Sequence, residues 1–382
     1  MFSKLNAWLH LWLGLITGIV VLVVSLTGCV YVFVDEIKAV VYEDRLFVTP
    51  AEDGRKPLSE MLDNAGAALG PEYEISRCDL FPAPDRSWVF RAMDVDPDGI
   101  GHWNYFRYYY RVYVNPYTAE VIRVEDTRNE FFQLILSLHM NLLLGKKAGH
   151  YVVGYSVLIF VFLLLSGLVL WWPRKWNLRT LKQSLKVKWN ARFKRLNYDL
   201  HNVWGFYILI PALVLAVTGL VYTFSWVENT LYVTFSGGGE KPEKHIPVSH
   251  PAKDDSLHTL DRALIDVLDR FPGADMVSIR FRSSETAPYD FQVRKEKGRT
   301  YHFDWSYYDR GTGDFLWSYD TADLNTAQKV RAMNFDLHVG SFMGLGSKIL
   351  MFVVSLICAS LPVTGFLIWY NRTWKKKKPG KA

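Results

Sequence analysis

The chain has 382 residues, 50% of them hydrophobic and 15% aromatic, with 44 basic and 38 acidic side chains for a formal net charge of +6. Those averages suit two ordinary soluble domains, but their distribution excludes that class: four stretches, near residues 8–34, 151–172, 204–226 and 349–370, stay apolar for about 20 residues, enough to cross about 30 Å of hydrocarbon. The three cysteines exclude a disulfide framework, since Cys29 and Cys358 fall inside apolar stretches and Cys78 stands alone as a buried thiol.

Residues 1–34 read as a first transmembrane helix. Its Leu26-Thr27-Gly28-Cys29 resembles a lipoprotein cleavage box, but the apolar run continues through Val30, Val32, Phe33 and Val34. Thr27-Gly28 is therefore read as a helix-packing element. Residues 35–130 read as an exterior domain: a helix over 57–70 from its apolar spacing, then alternating strands at Arg111 to Val114 and Glu120 to Val124 around an Asn115-Pro116-Tyr117-Thr118 turn. Residues 131–172 carry an interfacial helix and the second span, and 173–197 form a basic loop. The third span lies in 198–226. Residues 227–330 repeat the exterior pattern, with a helix over 257–271 and a turn at Tyr307 to Asp314. Residues 331–370 hold another interfacial helix and the fourth span, and 371–382 are a basic tail.

Nine Lys or Arg crowd the loop from Arg174 to Arg195, with no acid before Asp199, and six more follow Asn371. The positive-inside rule places both regions and both termini in the cytoplasm. With Lys4 that assigns 16 bases and one acid to the cytoplasm, leaving 28 bases against 37 acids outside. The basicity thus belongs to short loops beside a membrane, whose expected partner is anionic lipid rather than nucleic acid.

The chain repeats itself. LNAWLHLWLG followed by TGCVYVF, and LNYDLHNVWG followed by TGLVYTF, align at a constant offset of 191, with His10 and His201 each seventeen residues before a Thr-Gly pair. More loosely, Leu138-His139 through Gly167 to Trp171-Trp172 matches Leu337-His338 through Gly365 to Trp369-Tyr370. One unit is used twice. The fold class expected is a membrane α-helical bundle of four spans with two exterior α+β domains, each a small helix on an antiparallel sheet.

The turns Asn115, Thr118, Ala119, Glu120 and Asp309, Thr312, Gly313, Asp314, following a helix and strands, resemble the PepSY domain. Together with the Leu-His and Thr-Gly spans they resemble the PepSY-associated transmembrane family over nearly the whole chain, and within it the bacterial inner-membrane reductases of ferrioxamine-type ferric siderophores. That resemblance implies PepSY-like periplasmic domains, an oxidoreductase role in iron uptake and a ferric hydroxamate siderophore as substrate.

A coordinating side chain in a span is costly and begins as a site hypothesis. His10 and His201 open spans that start on the cytoplasmic side, and His139 and His338 precede spans that start outside. Two pairs on two levels match two stacked haems, each iron held by imidazoles from facing helices. His150 opens the second span and is an alternative to His139, or a partner for a haem propionate or the substrate. Its counterpart is Lys348. Gly14 and Gly205 leave room for a flat macrocycle or serve helix packing alone. No Cys-x-x-Cys-His occurs, so the haem expected is b-type, two per chain. No dinucleotide or flavin site is found, and the electron donor is a cytoplasmic reductase, a flavin or a membrane quinol. No catalytic acid or base is assigned.

Two runs, His102 to Arg111 and Tyr301 to Tyr308, are dense in aromatics. Alternation buries half of each. Of the remainder, Trp103, Tyr105, His302 and Trp305 are the substrate-contacting residues expected. Two other classes compete: a non-enzymatic membrane protein binding a peptide or envelope protein, which predicts a colourless protein, and a metal or proton transporter. The halves share one orientation and the spans lack interior carboxylates, which counts against transport.

Overall fold

The computed structural model describes residues 2–173, 177–243, 245–251, 256–301 and 303–373. In chain order its main elements are α1 (Phe2–Val32), α2 (Leu58–Leu69), β1 (Ile75–Leu80), β2 (Trp88–Val95), β3 (Phe106–Val114), β4 (Val121–Asp126), α3 (Phe131–Asn141) and α4 (Lys146–Trp171). There follow α5 (Leu209–Thr223), α6 (Ser256–Arg270), β5 (Met276–Arg280), β6 (Tyr289–Arg294), β7 (Phe303–Tyr308), β8 (Phe315–Tyr319), α7 (Asn334–Val339) and α8 (Leu345–Thr373). They divide into a helical unit, from Met1–Phe33, Ile135–Glu228 and Leu337–Ala382, and a sheet unit, from Val34–Leu134 and Asn229–Asp336.

In the helical unit, three helices are long and apolar enough to cross a membrane: Ser3–Val32, Lys146–Trp171 and Leu345–Thr373. A fourth candidate is broken, Phe193–Tyr207 and Leu209–Thr223 meeting at 67°. The break has a local cause. Pro211 has no N–H to offer the carbonyl of Tyr207 and crowds the preceding turn, and Ile208 relaxes to φ −86°, ψ −2°. Just before it, Leu200–Trp204 winds as a π-helix that includes His201, an irregularity frequent at functional sites. α1 packs on α8 and α4, and α5 packs on α4. α1 is unbroken through Cys29.

In the sheet unit, β4-β3-β2-β1-β5-β6-β7-β8 form one antiparallel sheet. The two exterior domains expected separately, 35–130 and 227–330, are thus fused edge to edge. β1 and β5 pair through Arg77↔Arg280, Cys78↔Ile279, Asp79↔Ser278 and Leu80↔Val277, so neither four-stranded half leaves this edge unpaired. Helices expected over 57–70 and 257–271 are α2 and α6. Their apolar faces, with Met61, Ala65, Leu260 and Val267, cover one side of the sheet at Cys78, Phe90, Val112, Ile279 and Phe291. α2 and α6 are tied where Ser59 N donates to Asp261 Oδ1 at 3.0 Å. Both expected turns close alike: Asn115 N donates to Glu120 O at 2.9 Å and Asp309 N to Asp314 O at 2.8 Å.

Candidate functional site

The four histidines named from the repeat all lie in the helical unit, and the structure sorts them into two facing pairs. His10 and His201 have ring centroids 6.4 Å apart with planes at 90°. His139 and His338 stand 6.0 Å apart at 67°. On α1, His10 and Thr27 are seventeen residues apart, about 25 Å at 1.5 Å per residue, so the levels these two mark are separated by most of a bilayer's hydrocarbon thickness.

Each imidazole is fixed by a hydroxyl on a neighbouring helix. His10 Nδ1 lies 2.8 Å from Ser166 Oγ, and His201 Nδ1 lies 2.9 Å from Thr364 Oγ1. At the second level His139 Nδ1 is 3.1 Å from Thr27 Oγ1 and 2.9 Å from the Val24 carbonyl. His338 Nδ1 is 2.9 Å from Thr218 Oγ1. The direction of these bonds follows from the hydroxyls themselves. Thr27 donates to Val23 O at 2.8 Å, Thr218 to Val214 O at 2.6 Å, Thr364 to Ser360 O at 2.9 Å and Ser166 to Leu163 O at 3.1 Å. With its one proton spent on its own helix, each hydroxyl has only lone pairs left. The imidazole must therefore donate Nδ1–H, which leaves Nε2 with its lone pair free to accept a proton or to bind a metal.

The residue after each hydroxyl is glycine, and the reason is steric. A Cβ on Gly167, Gly365, Gly28 or Gly219 would stand 3.3, 3.2, 3.4 or 3.3 Å from Cε1 of His10, His201, His139 or His338 respectively. Each histidine thus sets the Cε1–Nδ1 edge of its ring against a Ser/Thr-Gly step of another helix. Two asparagines repeat the pattern beneath it: Asn6 Nδ2 donates to Ser166 O at 3.1 Å and Asn197 Nδ2 to Thr364 O at 3.0 Å. These bonds tie the helical turn of each histidine to the step that seats its ring.

The chain matches the family model described as the PepSY-associated TM region over residues 7–372. It belongs to that family. No curated protein matches it. The match spans both histidine pairs of this PepSY-associated TM protein and all four Ser/Thr-Gly steps.

The other expected residues are placed as follows. His150 accompanies Tyr151, ring centroids 6.1 Å apart, and bonds the backbone of Tyr222, while His139 is the residue that faces His338. Gly14 and Gly205 meet leucines, their added Cβ atoms 3.9 Å from Leu163 and 3.7 Å from Leu361. That is ordinary packing, and the glycines that touch histidines are four others. Trp103 is exposed and donates Nε1–H to Asn129 at 2.9 Å. Tyr105 packs on Phe106, centroids 4.8 Å apart. Trp305, on β7, stacks on Tyr319 at 4.8 Å. β3, which follows Trp103 and Tyr105, lies five strand steps from β7, about 24 Å at the usual strand spacing. The aromatics therefore form two patches, and His302 lies outside the described residues.

Ser166, Thr364, Asn6 and Asn197 are not among the residues expected from the sequence, where Thr27 stands as a helix-packing residue and Thr218 as its repeat counterpart. Their signal was present as a Ser/Thr-Gly dipeptide in every apolar stretch.

Proposed function

We propose that this protein is a di-haem b reductase of the bacterial inner membrane that carries electrons from the cytoplasmic side to a ferric siderophore in the periplasm. The observation that carries this reading is the pair of facing imidazole sets with Nε2 as the coordinating atom. A metal–nitrogen bond of about 2 Å on each side, plus roughly 1.1 Å from each imidazole centroid to its nitrogen, would separate two rings that share one metal by about 6.2 Å. The observed separations are 6.4 and 6.0 Å. Among the described residues no three His, Cys, Asp or Glu cluster as a metal site. Two protein donors per level suit a metal that brings its other ligands with it, as haem iron does.

His10 with His201, and His139 with His338, would hold the two haems, and Ser166, Thr364, Thr27 and Thr218 fix their tautomers, the outer partners that metal-bound histidines require. Haem b, held by two histidines at each level, would supply a one-electron couple suited to electron transfer rather than oxygen chemistry. Reduction of chelated Fe(III) to Fe(II) weakens its hold on hard oxygen donors and frees the iron. The hydroxamate class of siderophore follows from the family resemblance, and a cytoplasmic reductase, a flavin or quinol is the donor class. Four spans, with the bent pair as the third, and both termini in the cytoplasm complete the reading; the palindromic strand order and the fourfold Ser/Thr-Gly contact support its tandem-repeat origin.

The test is an oxidised-minus-reduced visible spectrum of the detergent-purified protein with pyridine haemochrome quantification, repeated for His10→Ala, His201→Ala, His139→Ala and His338→Ala. Two b-type haems are expected, each single variant losing the haem of its own level. A colourless protein from haem-replete cells would sink the reading.

A further inference from the structure

The face of the sheet opposite α2 and α6 carries four arginines in a row. Arg111, Arg91, Arg77 and Arg280 are directly paired neighbours on β3, β2, β1 and β5. Like charges placed opposite one another on adjacent strands destabilise a sheet, so such a row calls for negative charge. The chain supplies too little. Arg77 and Arg91 share Asp79. Arg111, at 3.8 Å, shares Glu125 with Arg45, at 2.7 Å. Arg280 donates to the neutral amide oxygen of Gln292 at 3.0 Å, and Asp290, directly opposite it on β6, is shared with Arg282, which it meets at 2.5 Å. Among the described residues, six guanidiniums (Arg45, Arg77, Arg91, Arg111, Arg280 and Arg282) meet three carboxylates (Asp79, Glu125 and Asp290) here, an excess of three positive charges.

The row also has a length. Three strand steps span about 14 Å, more than a single carboxylate or phosphate covers. Guanidinium groups bind carboxylates through paired, parallel hydrogen bonds, and half-burial of Arg77, Arg91 and Arg111 strengthens those bonds relative to bulk water. Beyond Asp290 on the same face, Trp305 stacks on Tyr319 and Tyr307 on Trp317, giving the row an apolar flank.

We infer that this face binds an anionic ferric polycarboxylate chelate, its outward carboxylates meeting the arginine row. The inference rests on the reading that a ferric chelate is the substrate, and it moves the class from hydroxamate to carboxylate, because a cationic or neutral hydroxamate complex leaves the excess charge unmet.

The probe is Ga(III) citrate, which binds as a ferric chelate does and is not reduced, so binding is read apart from any haem. Titration calorimetry on the full-length protein in nanodiscs should show binding that weakens with salt. Arg280→Gln should raise Kd by about tenfold or more, the loss expected for a charge-assisted hydrogen bond, with unchanged haem content and thermal unfolding; Arg77→Gln should raise Kd alike while also lowering the unfolding temperature, because it removes a partner of buried Asp79. A cationic Ga(III) hydroxamate should bind far more weakly. Unchanged Kd in both variants, equal binding of the cationic chelate, or equal displacement by inorganic phosphate would overturn the assignment. A protein that reduces ferric chelates without these arginines refutes this inference and spares the reductase reading. A colourless protein that still binds Ga(III) citrate through them does the reverse.

Discussion

Ser166→Ala removes one oxygen and tests the geometry of the histidine pairs directly. Ser166 Oγ is the acceptor for His10 Nδ1–H at 2.8 Å, whereas His201, at the same level, bonds both Thr364 and the backbone of Leu361. Removing the acceptor of a buried donor costs about 1–3 kcal/mol, a factor of roughly 5–150 in the equilibrium that keeps His10 in its coordinating tautomer. Losing the outer partner of a metal-bound histidine typically costs about 10–100-fold in affinity. Thr364→Val should cost less, about fivefold or under, because the Leu361 carbonyl continues to hold the His201 tautomer. On the proposed di-haem reading, the assay is haem transfer from the purified protein to excess apomyoglobin, followed at the Soret band and paired with a redox titration of the haems that reading assigns. Ser166→Ala should speed the loss of one haem and shift one midpoint only. Equal behaviour of Ser166→Ala, Thr364→Val and wild type would refute the argument that the hydroxyls set the tautomers.

Two further predictions concern the sheet unit. Gly313, at φ +74°, would place a Cβ 2.6 Å from the backbone oxygen of Thr259, so Gly313→Ala should destabilise by about 2 kcal/mol or more, combining the left-handed penalty with a backbone clash; thermal unfolding indistinguishable from wild type would contradict the turn geometry. Its counterpart Ala119 already adopts φ +59°, and Ala119→Gly should be neutral or stabilising in the same measurement. Burial disfavours the charge on Asp79, but Arg91, Arg77 and the Ser278 hydroxyl hold its pKa well below the carboxylate range. A lowered folded pKa stabilises above the unfolded value of about 3.9, and that contribution drains away as pH falls towards the folded value. Asp79→Asn should cost about 3–5 kcal/mol at neutral pH and flatten the acid limb of the unfolding-temperature profile. Parallel limbs in the two proteins would exclude Asp79 as the titrating group.

The elements of the sheet unit were legible because local rules decide them. Apolar spacing within 57–70 and 257–271 is enough to form α2 and α6, and the Asn115 and Asp309 turns carry their own side-chain acceptors. The joining of the halves was not legible. β1 and β5 meet through Arg77↔Arg280 and Asp79↔Ser278, pairs about 200 residues apart that no local pattern announces. The break at Ile208 was written in Pro211, but a proline in a long apolar stretch is compatible with a kinked span as well as a broken one.

The histidines were legible because they recur at fixed positions in both halves, and a residue type that is costly in a membrane does not recur without a reason. Their partners were harder to see, since serine, threonine and glycine are the common currency of helix packing in lipid. Packing and orientation turn out to be one contact. Thr27-Gly28 brings a neighbouring element close enough to touch, as a packing step should, and what touches it is the ring of His139. The glycine makes room for the edge of the imidazole, the hydroxyl selects its tautomer, and the same dipeptide does this for His10 at Ser166-Gly167, for His201 at Thr364-Gly365 and for His338 at Thr218-Gly219. A step built only for packing would need the small residue but not the hydroxyl. The pairing of the two at all four positions argues that the bundle is assembled around its histidines.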